Sequence, residues 1–120
     1  MKENIMYSLI AVFVGGGAGS VLRWLCCSFI PSHWGTMLVN IAGAFFIGCA
    51  YAYFAKSSLS NEAKVFVMTG LLGGFTTFST YLLNFITLLN ESKIAEGFIY
   101  LLLSVLAGSL FLLAGIRMAS

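Results

Sequence analysis

The chain has 120 residues, of which 60% are hydrophobic and only 8% charged, whereas a soluble domain carries roughly 25% charge. That composition excludes an ordinary soluble protein. A net charge of +2 from 6 basic and 4 acidic residues leaves no basic patch for nucleic acid, and one proline with no low-complexity stretch excludes disorder.

A membrane helix needs about 20 apolar residues, so four spans fill the chain. The charges punctuate them. Span one covers about Ile5–Leu25, span two Gly35–Phe54, span three Ala63–Leu89 and span four Gly97–Ile116, making residues 1–120 one transmembrane domain. A cleaved signal peptide fits Lys2 and the apolar run behind it only loosely, because the run continues to Arg23. With four spans the termini share a side. Lys2, Lys56, Lys64 and Arg117 then lie on that side, and Arg23 and Lys93 on the other. So weak a bias permits insertion in either orientation, which suggests dual topology and an antiparallel homodimer. Four short helices enclose little interior by themselves, which also favours a homo-oligomer.

In span one, Gly15 and Gly19 form a GxxxG pair, with Arg23 one turn further on the same face. The glycines suit close helix packing. Arg23 either snorkels to the headgroups or lends positive potential to a vestibule mouth that draws anions. Span two opens on Gly35-Thr36 and buries one strongly polar side chain, Asn40. An amide in lipid must be paired, so Asn40 serves either an interhelical hydrogen bond or a passing anion. Cys26, Cys27 and Cys49 lack metal-ligand spacing and read as small buried hydrophobes. His33, beside Pro31 and Trp34, reads as an interfacial residue.

Span three is the most informative. Gly70-Leu71-Leu72-Gly73-Gly74-Phe75-Thr76-Thr77-Phe78-Ser79-Thr80-Tyr81 places two adjacent glycines and a hydroxyl cluster mid-span. Gly-Gly invites a break, and unwound backbone survives in a membrane only where it is buried or lines a cavity. Freed carbonyls at a break can hold a cation, while the following helix N-terminus favours an anion. Thr76, Thr77, Thr80, Asn84 and Thr87 share one face, and Phe75, Phe78, Leu82 and Phe85 form a second stripe. In span four, Tyr100, Ser104 and Gly108 recur at four-residue steps, with Ser109 beside them.

All four carboxylates lie at span ends and no aspartate occurs. A proton-coupled exporter needs a carboxylate near the midplane, which argues against a small multidrug-type four-helix exporter. No paired acid, Cys/His pair or Ser/His/Asp set supports an enzyme. What remains is a lining of hydroxyls, amides and phenyl edges, whose edges are positive. Such a lining suits a narrow route for a small anion whose hydration must be replaced contact by contact.

These motifs resemble the Fluc (CrcB) family of microbial fluoride channels along nearly the whole chain: Gly19 and Arg23 in span one, Gly35-Thr36…Asn40…Gly43 in span two, Gly73-Gly74-Phe75-Thr76-Thr77-Phe78-Ser79-Thr80 in span three, and Tyr100, Ser104 and Gly108 in span four. The resemblance implies an all-α membrane protein with a broken third helix. It implies a dual-topology antiparallel homodimer in the cell (inner) membrane that exports fluoride passively through two pores, which lowers its cytoplasmic concentration. By the same resemblance, Phe78 and Tyr81 hold the pore-phenylalanine positions and Asn40 is the pore amide. Ser79, Thr80 and a fourth-span hydroxyl, Ser104 or Ser109, form the polar track, and the Gly73 and Thr76 carbonyls of both subunits hold a structural sodium ion. Two positions depart from the family pattern: Tyr81 replaces a second phenylalanine, and Asn84 stands where many members carry glutamate.

Overall fold

A computed structural model describes residues 2–120, with side chains from residue 5 onward. Every element among the described residues is helical. Helix α1 is Lys2–Phe29 and α2 is His33–Ala55. The third span is composite: α3 (Asn61–Lys64), a π-helical segment (Val65–Leu72), α4 (Gly73–Phe75), and then, after a break, α5 (Ser79–Asn90). Helix α6 is Ile94–Ala119. Four stretches are long and apolar enough to cross a membrane: Ile5–Phe29, His33–Ala55, Asn61–Asn90 and Ile94–Ala119.

Each stretch outruns the apolar run that announces it, because hydrogen bonding continues until a local signal stops it. Helix α1 stops at Phe29 because Ile30 precedes Pro31, whose ring disfavours helical backbone in the residue before it. Ser32 then caps α2: its backbone is extended (φ −149°, ψ 174°) and its hydroxyl accepts from the Trp34 N–H at 3.3 Å. Ser60 caps α3 likewise, accepting from the Ala63 N–H at 3.2 Å. Helix α5 ends in a Schellman motif. Lys93 N–H donates to the Leu88 carbonyl at 2.8 Å and Ser92 N–H to the Leu89 carbonyl at 3.1 Å. Ser92 holds the left-handed position between them at φ 62°, where glycine is usual.

The spans associate as two parallel pairs. In the first, α1 lies on the early part of the third span with almost no side chain between them. A Cβ on Gly15 would sit 2.6 Å from the Phe66 carbonyl oxygen, and one on Gly19 would overlap the Leu71 carbonyl. In lipid, where apolar surface gains nothing by leaving its solvent, small residues that let backbones approach drive this kind of association. The second pair is α2 with α6. Gly48 faces the Leu112 carbonyl and Gly115 faces the Phe45 carbonyl, both too close for any side chain. Near the start of these two helices, His33 Nε2 lies 2.9 Å from Glu96 Oε2.

The interior is thin. Tyr100 is the largest fully buried side chain, and Val39, Leu72, Tyr81 and Leu88 are among the few other buried hydrophobics. Large apolar residues cover the outside, Phe13 and Phe29 among the most exposed. Such a surface suits lipid or a second membrane chain rather than water.

Candidate functional site at the third-span break

The break falls slightly later than the glycines suggest. Gly73 and Gly74 remain helical, and a Cβ on Gly74 would come 2.5 Å from the Gly16 carbonyl oxygen, so Gly74 serves close packing on α1. The chain turns out of the helix at Thr76, which is extended (φ −91°, ψ 160°). Thr76 N–H makes the last helical bond, to the Leu72 carbonyl at 3.1 Å. Helical pairing resumes where Leu82 N–H reaches the Phe78 carbonyl at 3.0 Å.

Between those points two neighbouring helices supply what the broken ladder lacks. Asn40 on α2 brackets the Thr77 peptide: its Oδ1 accepts from Thr77 N–H at 2.8 Å and its Nδ2 donates to the Thr77 carbonyl at 2.9 Å. Arg23 on α1 directs Nη1 to the Gly74 carbonyl at 2.9 Å and the Thr76 carbonyl at 3.2 Å. Thr77 Oγ1 accepts from Thr80 N–H at 3.3 Å, which satisfies one of the orphan donors at the start of α5. Each such group left unpaired in hydrocarbon would cost several kcal/mol, so Asn40 and Arg23 are what make a break at this depth tolerable. Arg23 therefore spends donors on the break, partly buried, rather than standing free at a span end.

The rerouting frees carbonyls. The Gly73 carbonyl has lost its donor four residues on, because Thr77 N–H has gone to Asn40. The Thr76 carbonyl has likewise lost Thr80 N–H and keeps only Arg23.

Beside the break lies an open cavity of about 350 Å³, lined by residues that include Asn40, Thr77, Phe78, Tyr81, Ser104 and Val105. None of its lining residues is charged. Gly43 gives room for the Thr76 methyl, which a Cβ there would overlap. The donors available to the cavity are few. Asn40 keeps one amide hydrogen beyond the one given to Thr77. The Ser104 hydroxyl is buried with no hydrogen-bond partner. The rings of Phe78 and Tyr81 lie 6.0 Å apart at 45°.

A second polar layer sits one helical turn away. Asn84 Nδ2 donates to Thr36 Oγ1 at 3.1 Å and to the Tyr100 hydroxyl oxygen at 3.3 Å. Tyr100 packs on Tyr81 (centroids 5.3 Å), His33 (5.0 Å) and Trp34 (6.0 Å). An aromatic row thus runs from Phe78 through Tyr81 and Tyr100 to the head of α2. Tyr81 itself is buried, and its hydroxyl donates to the Leu101 carbonyl of α6.

Of the polar and aromatic residues singled out in the sequence, the cavity gathers Asn40, Thr76, Thr77, Phe78, Tyr81 and Ser104. Ser79, Thr80 and Ser109 lie on the outer surface of the chain, away from it. The expected hydroxyl ladder divides: Thr76 and Thr87 return their hydroxyls to their own helix, at the Leu72 and Leu83 carbonyls, as threonines often do. Thr36 is a participant to which sequence reasoning gave no role at the site. Thr36 had a signal, since it lies one turn before Asn40 on the same face of α2.

Fold and site together define a multi-pass membrane protein with an uncharged, mainly apolar cavity beside a broken span. The family described as CrcB-like protein, Camphor Resistance (CrcB), matches residues 10–116. A protein of Mesorhizobium japonicum named fluoride-specific ion channel FluC is 40% identical over 120 residues, covering 95% of this chain and 97% of the relative. Its namesake in Phocaeicola vulgatus is 38% identical, covering 95% and 99%. That in Pectobacterium carotovorum is 43% identical over 113 residues, covering 89% and 88%. The chain belongs to the CrcB family, whose members named here are ion channels and not enzymes.

Proposed function

We propose that this chain is a fluoride-selective channel of the cell membrane, passing fluoride passively outward and so lowering its cytoplasmic concentration. The names of its relatives support the ion. The carrying observation is the cavity beside the break, largely apolar, with a few hydrogen-bond donors and no charge. A small anion releases its water only if several donors replace it at once. Asn40 offers an amide hydrogen, Ser104 an unspent hydroxyl, and Phe78 and Tyr81 their positive ring edges. No carboxylate lines the cavity to repel an anion, or to exchange a proton for a lipophilic cation as a multidrug-type exporter must. The Arg23 guanidinium at the Gly74 and Thr76 carbonyls adds positive potential from behind.

The working unit in this reading is an antiparallel homodimer of dual topology, with two pores. The thin interior supports it, and so does Phe78, which is 70% exposed on the single chain although it sits at the break. A second copy would cover that ring and close the open side of the cavity. The Gly73 and Thr76 carbonyls, both released from their helical donors, suit a hard cation such as sodium. Two copies would supply four such oxygens, and the ion would tie the two breaks together.

The test is growth. A bacterium that lacks its own fluoride exporter and expresses this chain should regain tolerance to fluoride. Continued sensitivity, with the protein present in the membrane, would contradict the reading.

A further inference from the structure

Tyr81 carries a hydroxyl that a pore ring does not need. That hydroxyl donates to the Leu101 carbonyl in the first third of α6. Leu101 lies three residues before Ser104, and the carbonyl three or four residues back is where a helical serine ordinarily spends its own hydroxyl. Ser104 takes neither the Leu101 nor the Tyr100 carbonyl. Its Oγ is buried with no partner, and it borders the same cavity as Asn40, Phe78 and Tyr81.

We infer that the Tyr81 hydroxyl is a positioning group: by occupying the Leu101 carbonyl it keeps the Ser104 hydroxyl free to donate to the passing anion. The inference rests on the channel reading above. A helix carbonyl has one lone pair left after its helical bond. With Tyr81 on that lone pair Ser104 cannot use it, and Ser104 does not turn to the Tyr100 carbonyl either. Tyr81 is the better placed, because its ring is held between Phe78 and Tyr100 and its hydroxyl has no reach into the cavity once bonded. A buried hydroxyl without a partner is costly in the empty pathway, and an anion that accepts from it removes the cost. Ser104 is thereby poised for the ion instead of being quenched by its own helix. A phenylalanine at position 81 would return the Leu101 carbonyl to Ser104.

The experiment is fluoride efflux from liposomes containing the wild type, Tyr81→Phe, Ser104→Ala or the double variant, each first shown by gel filtration to form the wild-type species. Loss of one donor of ordinary strength slows transport by roughly tenfold. Tyr81→Phe and Ser104→Ala should each show that loss, and the double variant should be no slower than Ser104→Ala alone. A purely structural bond to α6 predicts instead that the two losses multiply, and that outcome overturns the proposal. So does a Tyr81→Phe variant as fast as the wild type. A wild type that passes no fluoride at all overturns the channel reading and this inference with it, a result distinguishable from the other two.

Discussion

The two halves of the third span are held by opposite means. Before the break, the π-helical segment and α4 lie on α1 backbone to backbone, with glycines where side chains would otherwise stand. After the break, α5 is held to α2 and α6 by amides, hydroxyls and rings: Asn84 to Thr36 and Tyr100, and Tyr81 to Leu101. The first arrangement leaves no side-chain donor over, only the Gly73 carbonyl at its end. The second leaves an amide hydrogen on Asn40 and the hydroxyl on Ser104. Rigidity and chemistry are thus divided along one span, and a ligand can be received only where the polar groups outnumber their partners.

Breaking the glycine half should have the largest effect. Gly19→Val places a branched side chain into the main chain of the third span, where nothing flexible can yield. The cost is expected to exceed about 3 kcal/mol, and gel filtration in detergent should show aggregate in place of the folded species. Next comes the junction between the halves. Asn40→Ala strands both the N–H and the carbonyl of Thr77, at about 3 kcal/mol in total. It should lower the thermal midpoint and abolish fluoride flux together.

The chemical half can be damaged without harming the fold. Phe78→Ile keeps an apolar side chain at a position that is exposed on the single chain and that a second copy would cover, so it should cost no more than about 1.5 kcal/mol of stability while slowing fluoride flux by on the order of tenfold or more. Equal flux would remove Phe78 from the pathway. The smallest effect lies outside both halves. Ser92→Gly relieves a left-handed serine at the end of α5 and should raise stability by about 1 kcal/mol. Flux should not change, because the loop is remote from the cavity.

Much of this was legible in the sequence because a membrane simplifies the problem. Apolar runs between charges locate spans, and a cluster of glycines and threonines in mid-span locates a break. Span ends were less legible: α2 begins at His33 rather than Gly35 because the Ser32 cap, not hydropathy, sets its start. The break falls at Thr76 rather than at the glycines because Gly74 is held by contact with α1, a partner no local pattern names. Periodicity also puts Thr76, Thr77, Asn84 and Thr87 on one face without saying which of them turn back to their own helix. That depends on acceptors elsewhere in the chain, such as Thr36 for the Asn84 amide. The hydroxyl of Tyr81 was an unexplained departure until Leu101 supplied its partner.

The central claim is that a neutral cavity beside the break passes fluoride and refuses chloride. Purified protein in liposomes, loaded in turn with each anion and opened to potassium by an ionophore, tests this directly with ion-selective electrodes. Rapid fluoride loss with chloride retained is the expected result. Folded protein that releases neither anion, or both alike, would contradict it.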